Sequence, residues 1–271
     1  MTDIPRTTSK AGNPVDKTGE PAVRVHNLTK EFPGGVRALD GVSFDVPRGE
    51  LTSIIGPSGC GKTTTLKIIA GLVEATGGEV EVDGTPVHAP GPERAFVFQD
   101  FALMPWATVL RNAAFGLELR GVSRQEREAI ARDYIAKVNL AGFEDAYPHQ
   151  LSGGMRQRVG LARALAVDAD ILLMDEPFAS VDEQIRRKFQ EDLLRLLSDE
   201  DKTVIFVTHS IEEAVYVSDQ VVILTRGPSR VSKVVRPGVD RDADSEHIRR
   251  SPTYLDWVER IWDELQDYLE K

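Results

Sequence analysis

One glycine-rich stretch constrains this chain more than any other part of it: Gly56, Pro57, Ser58, Gly59, Cys60, Gly61, Lys62, Thr63 and Thr64. The apolar run at 50–55 before it predicts a buried strand, and residues 65–71 after it predict the start of a helix. The stretch matches G-x-x-x-x-G-K-[ST] in the strand–loop–helix context that this pattern requires. Glycines let successive backbone N–H groups surround a phosphate, and the helix N-terminus attracts its charge. The stretch therefore predicts a nucleoside triphosphate site, with an ordinary glycine-rich turn as the alternative.

Three side chains of this loop have distinct expectations. Lys62 can reach the β- and γ-phosphates of a bound triphosphate, and the Thr63 hydroxyl is a suitable ligand for Mg²⁺. Cys60 is the only cysteine of the chain, which excludes an internal disulfide and suits a reducing compartment. Its thiol is either a site of oxidation or alkylation, or simply a small loop residue.

Composition limits the class of protein. The chain has 271 residues, 41% hydrophobic and 28% charged, which is typical of a globular protein with one large domain or two small ones. No apolar run approaches the roughly 20 residues that span a bilayer, and the polar residues 1–21 predict a disordered tail rather than a secretory signal. A net charge of −10 argues against broad binding to DNA or RNA, so we expect no nucleic acid partner.

The order of apolar segments predicts an α/β fold, with an antiparallel layer beside the nucleotide-binding sheet. Three early segments read as strands of this layer: residues 22–28, 37–46 and 78–84, the last at its edge. Residues 123–139 predict a helix that begins with the capping pattern Ser123-x-x-Glu126.

Three other apolar runs end in polar residues, namely Gln99, Asp175-Glu176 and His209. In an open α/β sheet, ligands lie beyond the carboxyl ends of the strands, so we expect these side chains to meet at the phosphate loop. Asp175 is then placed to hold Mg²⁺, and Glu176 to polarise an attacking water as a general base. The alternative is a strand that simply ends in two acidic residues.

A second glycine pair stands in Leu151-Ser152-Gly153-Gly154, before a helical stretch at 159–167. Ser152 is a good N-cap, so an ordinary helix start is one explanation and a second anion-binding helix N-terminus is the other. This stretch follows the phosphate loop and Gln99, and it precedes Asp175-Glu176-Pro177 and His209. In that order the motifs resemble those of the ATP-binding-cassette (ABC) ATPases, over residues 22–236.

The resemblance implies a domain organisation. Residues 22–236 would form a P-loop NTPase core with a mainly parallel sheet, an antiparallel β-subdomain and a helical subdomain. The helical subdomain, at about 100–168, would carry the Leu-Ser-Gly-Gly signature. Residues 237–271 would form a C-terminal helical extension.

The resemblance also implies how the site works. In the family, two cassettes pack head to tail, and Mg-ATP lies between the phosphate loop of one and the signature of the other. A second copy of this chain is thus the implied partner. The implied roles are catalytic base for Glu176, contact with the γ-phosphate for His209, sensing of Mg²⁺ and water for Gln99, stacking on adenine for Phe32, and contact with the partner's nucleotide for Ser152, Gly153, Gly154 and Gln157. For Phe32, core packing at a strand end is the alternative.

One loop departs from the family pattern. Ala179-Ser180-Val181-Asp182 stands where family members usually have Ser-Ala-Leu-Asp. Because Asp182 is retained, we expect the dimer contact of this loop to be retained.

The inventory of motifs resembles the separate ATPase subunit of a prokaryotic transporter, on the cytoplasmic face of the plasma membrane. Permease subunits and, indirectly, a solute-binding protein would be its partners. Residues 101–117 are similar to the nitrate, sulfonate and taurine uptake subfamily, where this region meets the permease. We expect Phe101, Met104 and Trp106 to form an apolar socket for the permease; local core packing is the alternative for Trp106.

A last helix is predicted from Ser251 as N-cap and Pro252 as first residue. Its apolar stripe contains Tyr254, Trp257, Val258, Ile261, Trp262, Leu265 and Leu269. The stripe docks either on the chain's own cassette or on a second subunit or regulator. For the whole chain, the other functions considered are an exporter or lipid-trafficking ATPase and a soluble regulatory or repair ATPase. The transported substrate is recognised by other chains and stays open.

Overall fold

The computed structural model describes residues 19–179, 183–198, 200–241 and 244–269. Most of the predicted tail at 1–21 lies outside these ranges, and so does Asp182. The strands are β1 (Val23–Phe32), β2 (Val36–Val46), β3 (Leu51–Ile55), β4 (Gly77–Val82), β5 (Thr85–Pro86), β6 (Arg94–Val97), β7 (Ile171–Asp175), β8 (Thr203–Val207), β9 (Gln220–Leu224) and β10 (Val231–Val235). The α-helices are α1 (Lys62–Ile69), α2 (Val109–Leu119), α3 (Arg124–Lys137), α4 (Gly153–Ala166), α5 (Glu183–Ser198), α6 (Ile211–Val217), α7 (Ser245–Arg250) and α8 (Pro252–Leu269).

The central element is a six-stranded sheet in the order β10-β9-β3-β8-β7-β6. Every pair in it is parallel except β10 with β9. Strands β3, β7, β8 and β9 are buried along their whole length. Continuous apolar strands of this kind need cover on both faces, which the helices and the second sheet provide. The mainly parallel sheet predicted from the sequence is thus confirmed.

The second sheet is antiparallel, with four strands in the order β2-β1-β4-β5. The predicted strand at 78–84 is present as β4, but it lies inside this sheet and not at its edge. The turn at Asp83 and Gly84 has positive φ at both residues, 52° and 72°. Such a turn reverses the chain tightly, so the two-residue strand β5 covers β4 and its Pro86 stands at the edge.

Two hydrophobic cores lie on opposite faces of the six-stranded sheet. On β7, Leu172 and Met174 belong to the core shared with the helices α2 to α6. The alternate residues Ile171 and Leu173 belong to the core shared with α1 and the antiparallel sheet. This period of two is the ordinary consequence of strand geometry, and it ties the phosphate loop to one layer and the signature helix to the other.

Helices α2, α3 and α4 pack against one another as a separate layer. Each begins at a hydroxyl residue whose side chain accepts a backbone N–H bond from three positions on: Thr108 for α2, Ser123 for α3 and Ser152 for α4. The N-cap predicted at Ser123 is therefore confirmed. These caps fix where the layer's helices begin, and so where the loops before them end.

The last helix, α8, packs on α6. Tyr254, Ile261 and Leu265 are buried in the main core, which confirms for them the predicted docking on the chain's own cassette. Trp262 is 49% exposed, so the stripe is only partly covered by this chain. The N-cap predicted at Ser251 is confirmed by the bond from Tyr254 N–H to its hydroxyl, 3.3 Å. No helix among the described residues is both long and apolar enough to cross a membrane.

Candidate nucleotide site

The phosphate loop joins the buried strand β3 to α1. Gly61 is the N-cap of α1, with φ +97° and no side chain bonded to the first helical N–H groups. A Cβ at Gly61 would lie 2.7 Å from Leu39 Cδ2, so another residue would have to push this side chain aside and would also adopt a strained positive φ. The first N–H groups of the helix thus remain available, and the glycine keeps the backbone open to a phosphate. This part of the site fits a triphosphate.

Lys62 lies back across the same loop. Its Nζ donates to the carbonyl oxygens of Gly56 (2.9 Å) and Pro57 (3.2 Å), and the residue is 6% exposed. A buried ammonium needs such acceptors, because an unpaired charge in the interior is costly. An ammonium has three donors, so Lys62 keeps one for a further anionic partner.

Cys60 is only 1% exposed and packs beneath the loop. Its Sγ lies 2.8 Å from the point where a Cβ on Gly56 would stand. Burial raises the pKa of its thiol, against a weaker opposing effect of Lys62. A buried thiol that resists ionisation is a poor nucleophile, so the structure favours the small loop residue over the reactive cysteine.

A hydroxyl and a carboxylate meet at the start of α1. Thr63 Oγ1 donates to Asp175 Oδ1 at 2.8 Å, where Asp175 ends β7 and is 4% exposed. Burial raises the pKa of Asp175, and the hydrogen bond from Thr63 opposes this rise. Hydroxyl and carboxylate oxygens are the hard donors that Mg²⁺ prefers, so the pair fits this ion.

Glu176 follows Asp175 in the left-handed region, with φ +46°. Its N–H donates to Val207 O at 2.9 Å across to the neighbouring strand β8. Its Oε2 lies 3.2 Å from Nδ1 of His209, whose side chain is 58% exposed. A non-glycine residue in this conformation costs free energy, and such residues concentrate at functional sites. The geometry brings a carboxylate and an imidazole to one exposed edge.

Gln99 stands at the same edge, two residues after the end of β6, and is exposed. Strand β6 pairs with β7 in parallel, with Val97 opposite Met174. Of the three predicted strand ends, those of β7 and β8 touch through Glu176 and His209. Among the described hydrogen bonds, none joins Gln99 to these residues.

The signature starts α4. Ser152 is exposed, Gly153 and Gly154 are partly exposed, and Ser152 Oγ accepts the Met155 N–H at 3.3 Å. Gln157 differs, because it is 1% exposed on the inner face of the helix. A side chain buried in its own subunit does not reach a partner's nucleotide, so the structure removes Gln157 from the expected set.

The helical period explains this correction. Gln157, Leu161 and Leu165 follow one another at intervals of four residues, and all three are buried. The sequence therefore contained the signal, since the apolar stripe extends back to position 157. Neither polar atom of the Gln157 amide has a hydrogen-bond partner within the described residues.

Phe32 ends β1 and is 38% exposed, so packing in the core does not account for it. Lys30 Nζ lies 5.2 Å from the centre of its ring, at cation–π distance. The β1–β2 hairpin passes beside the phosphate loop, where Leu39 contacts Gly61. An accessible ring on this hairpin fits stacking against a base.

The segment after Gln99 presents one aromatic side chain and buries another. Trp106 is 72% exposed, which rules out local core packing. Met104 is half-buried. Phe101 is 5% exposed, with its carbonyl accepting from Arg163 at 2.6 Å. Phe101 therefore supports the segment from below, and its ring is not accessible in the way that Trp106 is.

Sequence reasoning missed the residue that shapes this segment, Asn112. It is fully buried on α2, and its Oδ1 accepts from Met104 N–H at 2.9 Å. Its Nδ2 donates to the carbonyls of Met104, Ala107 and Thr108 at 3.0–3.2 Å. One amide thus holds the loop 104–108 from within. An asparagine inside an otherwise apolar helix face was the signal that could have found it.

The family described as ABC transporter matches residues 39–179, which include the phosphate loop, the signature and both Asp175 and Glu176. A solved dimeric structure of an ATP-binding cassette in a post-hydrolysis state, bound to ADP and Pi, has a TM-score of 0.69 and 34% identity. The similarity covers 79% of this chain and 98% of that one.

Relatives match over nearly the whole chain. An uncharacterized ABC transporter ATP-binding protein of Methanocaldococcus jannaschii is 51% identical over 248 residues, 90% of this chain and 91% of its own length. Taurine import ATP-binding protein TauB of Chromobacterium violaceum is 48% identical, covering 81% of this chain and 85% of that protein. The protein of the same name from Pseudomonas syringae pv. tomato is 43% identical, covering 88% and 94%.

The chain belongs to the ABC transporter family. Within that family it is an ATP-binding subunit with ATPase activity. The resemblance, the fold class and the enzyme class predicted from the sequence are thereby confirmed.

Proposed function

We propose that the chain is the ATPase subunit of an ABC importer, which as a homodimer couples Mg-ATP binding and hydrolysis to uptake of a small solute through a separate permease. The observation that carries this proposal is the similarity to taurine import ATP-binding proteins over more than four fifths of the chain. The polar side chains gathered at one edge of the large sheet support it, because the subunit has to hydrolyse ATP.

Binding of the triphosphate is assigned to the loop at 56–64. The N–H groups at the start of α1 and the ammonium of Lys62 would surround the phosphates, and Phe32 would stack on adenine. Thr63 and Asp175 would hold Mg²⁺, with Gln99 as a further ligand from the end of β6. Bound there, the ion would neutralise charge on the phosphate oxygens.

Hydrolysis is assigned to Glu176 and His209. Glu176 accepts the proton of the attacking water, and the hydrogen bond between its N–H and Val207 holds its backbone beside β8. His209 contacts the γ-phosphate, and its 3.2 Å contact with Glu176 keeps the imidazole and the carboxylate in register. Gln99 would also orient the attacking water from the neighbouring strand end.

Dimerisation completes the site in this proposal. Ser152, Gly153 and Gly154 lie at an accessible helix start, so they can meet the nucleotide bound to a second copy. The related cassette of known structure is a dimer. Asp182, the residue expected in the dimer loop, lies outside the described residues.

Contact with the permease is assigned to the loop 104–108. A tryptophan that is 72% exposed on a loop fixed by a buried amide is a rigid apolar anchor, and such anchors dominate interface energies. Met104 lies beside it, half-buried. In this proposal the subunit works on the cytoplasmic face of the plasma membrane, against a membrane protein.

The proposed substrate is a small solute of the nitrate, sulfonate or taurine kind, and the taurine import proteins among the relatives favour a solute that carries a sulfonate group. Recognition of that solute is assigned to the permease and a solute-binding protein. This chain supplies the energy, through closure and reopening of the dimer.

The test uses a tagged Glu176→Gln variant, because slow hydrolysis keeps Mg-ATP bound and the dimer closed. The variant is expressed in its native host, extracted gently from membranes with Mg-ATP, and its companions are identified by mass spectrometry. A matched preparation of Glu79→Gln, a carboxylate on the exposed side of β4, controls for the lost charge.

A multi-span permease enriched with Glu176→Gln over the control supports the proposal. If a solute-binding protein is encoded beside that permease, its ligand names the substrate. Recovery of the chain only in the soluble fraction, bound to ribosomes or nucleic acid, would refute the importer proposal and leave the ATPase activity in place.

A further inference from the structure

A carboxylate is buried one turn beyond His209. Glu213 lies in the first turn of α6 and is 6% exposed. Its Oε2 accepts the hydroxyl of Thr208 at 2.5 Å. A hydrogen bond from a hydroxyl to a carboxylate is charge-assisted and stronger than one between neutral groups. Glu213 is thus tied to the residue immediately before the histidine.

The residue immediately after His209 belongs to the same network. Ser210 N–H donates to Thr208 Oγ1 at 3.0 Å, and Ser210 Oγ accepts the N–H of Glu213 at 3.2 Å. Thr208 N–H also donates to Ile54 O, at 3.3 Å, next to the phosphate loop. The backbone on both sides of the exposed imidazole is therefore fixed.

The network continues to a second helix. Arg186 Nε lies 3.6 Å from Glu213 Oε1, and the two side chains are 26% and 9% exposed. Arg186 is on α5, which begins at Glu183. One carboxylate thus contacts both the loop of His209 and helix α5.

We infer that Glu213 is a positioning residue for His209: through Thr208 it fixes the histidine backbone, and through Arg186 it ties that backbone to α5. The inference rests on the role proposed above for His209. Glu213 touches neither nucleotide nor water in this scheme and acts only through its neighbours. Movement of α5 when two copies close would then be transmitted to the loop of His209 through Arg186, Glu213 and Thr208.

The test is a double-mutant cycle on ATP hydrolysis by the full chain. Thr208→Val removes the hydroxyl with little change in shape, and it is made alone and together with His209→Ala. Thr208→Ser keeps the hydroxyl and is the matched control. Glu176→Gln sets the residual rate of the assay, so that the activity left in His209→Ala is measured above it.

We expect Thr208→Val to lower kcat about tenfold, within the range seen for coupled neighbours, and to leave KM for ATP within about twofold. In the His209→Ala background it should cause no further loss. Thr208→Ser should recover kcat to within about twofold of the parent. Histidine ring ¹⁵N NMR, with the His209 signal assigned from His209→Ala, should show that signal shifted in Thr208→Val and unshifted in Thr208→Ser.

Two results would overturn the inference in different ways. Equal loss from Thr208→Val in both backgrounds, with an unshifted His209 signal, would show that the hydroxyl only supports folding. Full activity of His209→Ala would refute the proposed role of His209 itself.

If Thr208→Val does not fold, Glu213→Gln replaces it, because its amide oxygen still accepts from Thr208 while the charge facing Arg186 is lost. A loss of about threefold that disappears with His209→Ala supports the inference, and an additive loss refutes it.

Discussion

The nucleotide edge of the large sheet and the loop 104–108 each depend on a buried polar side chain, but they use it in opposite ways. At the edge, Asp175 is 4% exposed and the hydrogen bond it receives comes from Thr63. In the loop, Asn112 is fully buried and makes four hydrogen bonds to backbone groups. Asp175 thus has acceptor positions left for a ligand, whereas nearly all donors and acceptors of the Asn112 amide are bonded.

This difference separates a binding group from a supporting one. A carboxylate has room for about four hydrogen bonds or metal contacts. Burial raises the pKa of Asp175 because it desolvates the charged form, and the hydrogen bond from Thr63 opposes only part of that rise. An amide with nearly all its donors and acceptors bonded has little affinity left for a ligand, but it gives a loop one conformation. The unused acceptor positions of Asp175 are thus typical of a ligand for Mg²⁺. The nearly complete hydrogen bonding of Asn112 is typical of a residue that supports the loop of Trp106.

The largest effect is expected from a substitution at the nucleotide edge of the large sheet. Glu176→Gln should lower kcat for ATP hydrolysis by about 10²–10⁴-fold, because it removes the proposed general base, while ATP still binds. Phosphate release and equilibrium binding of a fluorescent ATP analogue measure the two effects. Glu79→Gln should leave both unchanged. A variant that still hydrolyses ATP at more than a tenth of the parent rate would exclude Glu176 as the base.

The next largest effect is expected from loss of the buried amide that supports the loop 104–108. Asn112→Ala leaves buried carbonyls and an N–H without partners, so we expect the free energy of unfolding to fall by about 2–4 kcal/mol. Urea unfolding of the isolated subunit measures it. Gln125→Ala, which removes an exposed amide from α3, should stay within about 0.5 kcal/mol of the parent. An equally small change for Asn112→Ala would mean that the loop does not need the amide.

Trp106→Ala removes the exposed indole from the loop 104–108 and leaves the hydrogen bonds of Asn112 to the loop in place. We expect about 2 kcal/mol of weaker association with the permease, about thirtyfold in affinity, as for an interface hot spot. Transport should fall, and ATP hydrolysis by the isolated subunit should be preserved. Leu119→Ala, equally exposed on α2, is the control. Equal loss of transport and of isolated ATPase activity would contradict the docking assignment.

The smallest effect is expected from the charge of the buried Asp175 carboxylate. The pKa of Asp175 is raised in the folded state, so its ionisation costs stability above that pKa, and this cost disappears as pH falls through it toward 3.8. In metal-free buffer without nucleotide, Asp175→Asn should raise Tm at pH 8 by about 2–4 °C, as about 1 kcal/mol does in a chain of this size. The gain should shrink in a series of melts toward pH 4. If the rise in Tm caused by Asp175→Asn does not change with pH, the ionised carboxylate of Asp175 is not its cause.

Much of the nucleotide site could be predicted because its parts are local in sequence. A buried strand, a glycine loop and a helix start are consecutive, so spacing alone indicates a phosphate site at 56–64. The acidic pair at the end of β7 was likewise predictable, since polar residues that end apolar strands meet at one edge of a parallel sheet. The contact of Glu176 with His209 follows from the adjacency of β7 and β8.

What could not be predicted is which side of an element meets a neighbour. The sequence offered Gln157 and Phe101 as contact residues, but both are buried: Gln157 on the inner face of α4 and Phe101 beside Gly160 of that helix. It also placed β4 at a sheet edge, where the short strand β5 now lies.

Chemical identity and spacing by themselves determined the family, the phosphate loop and the polar strand ends of this protein. Tertiary structure alone decided that Asn112 holds the loop 104–108, that Trp106 is exposed, and that Glu213 joins α5 to the loop of His209. The physical reason is that local sequence sets backbone preferences and charges. Burial and hydrogen-bond partners, by contrast, depend on segments far apart in the chain that meet only in the fold.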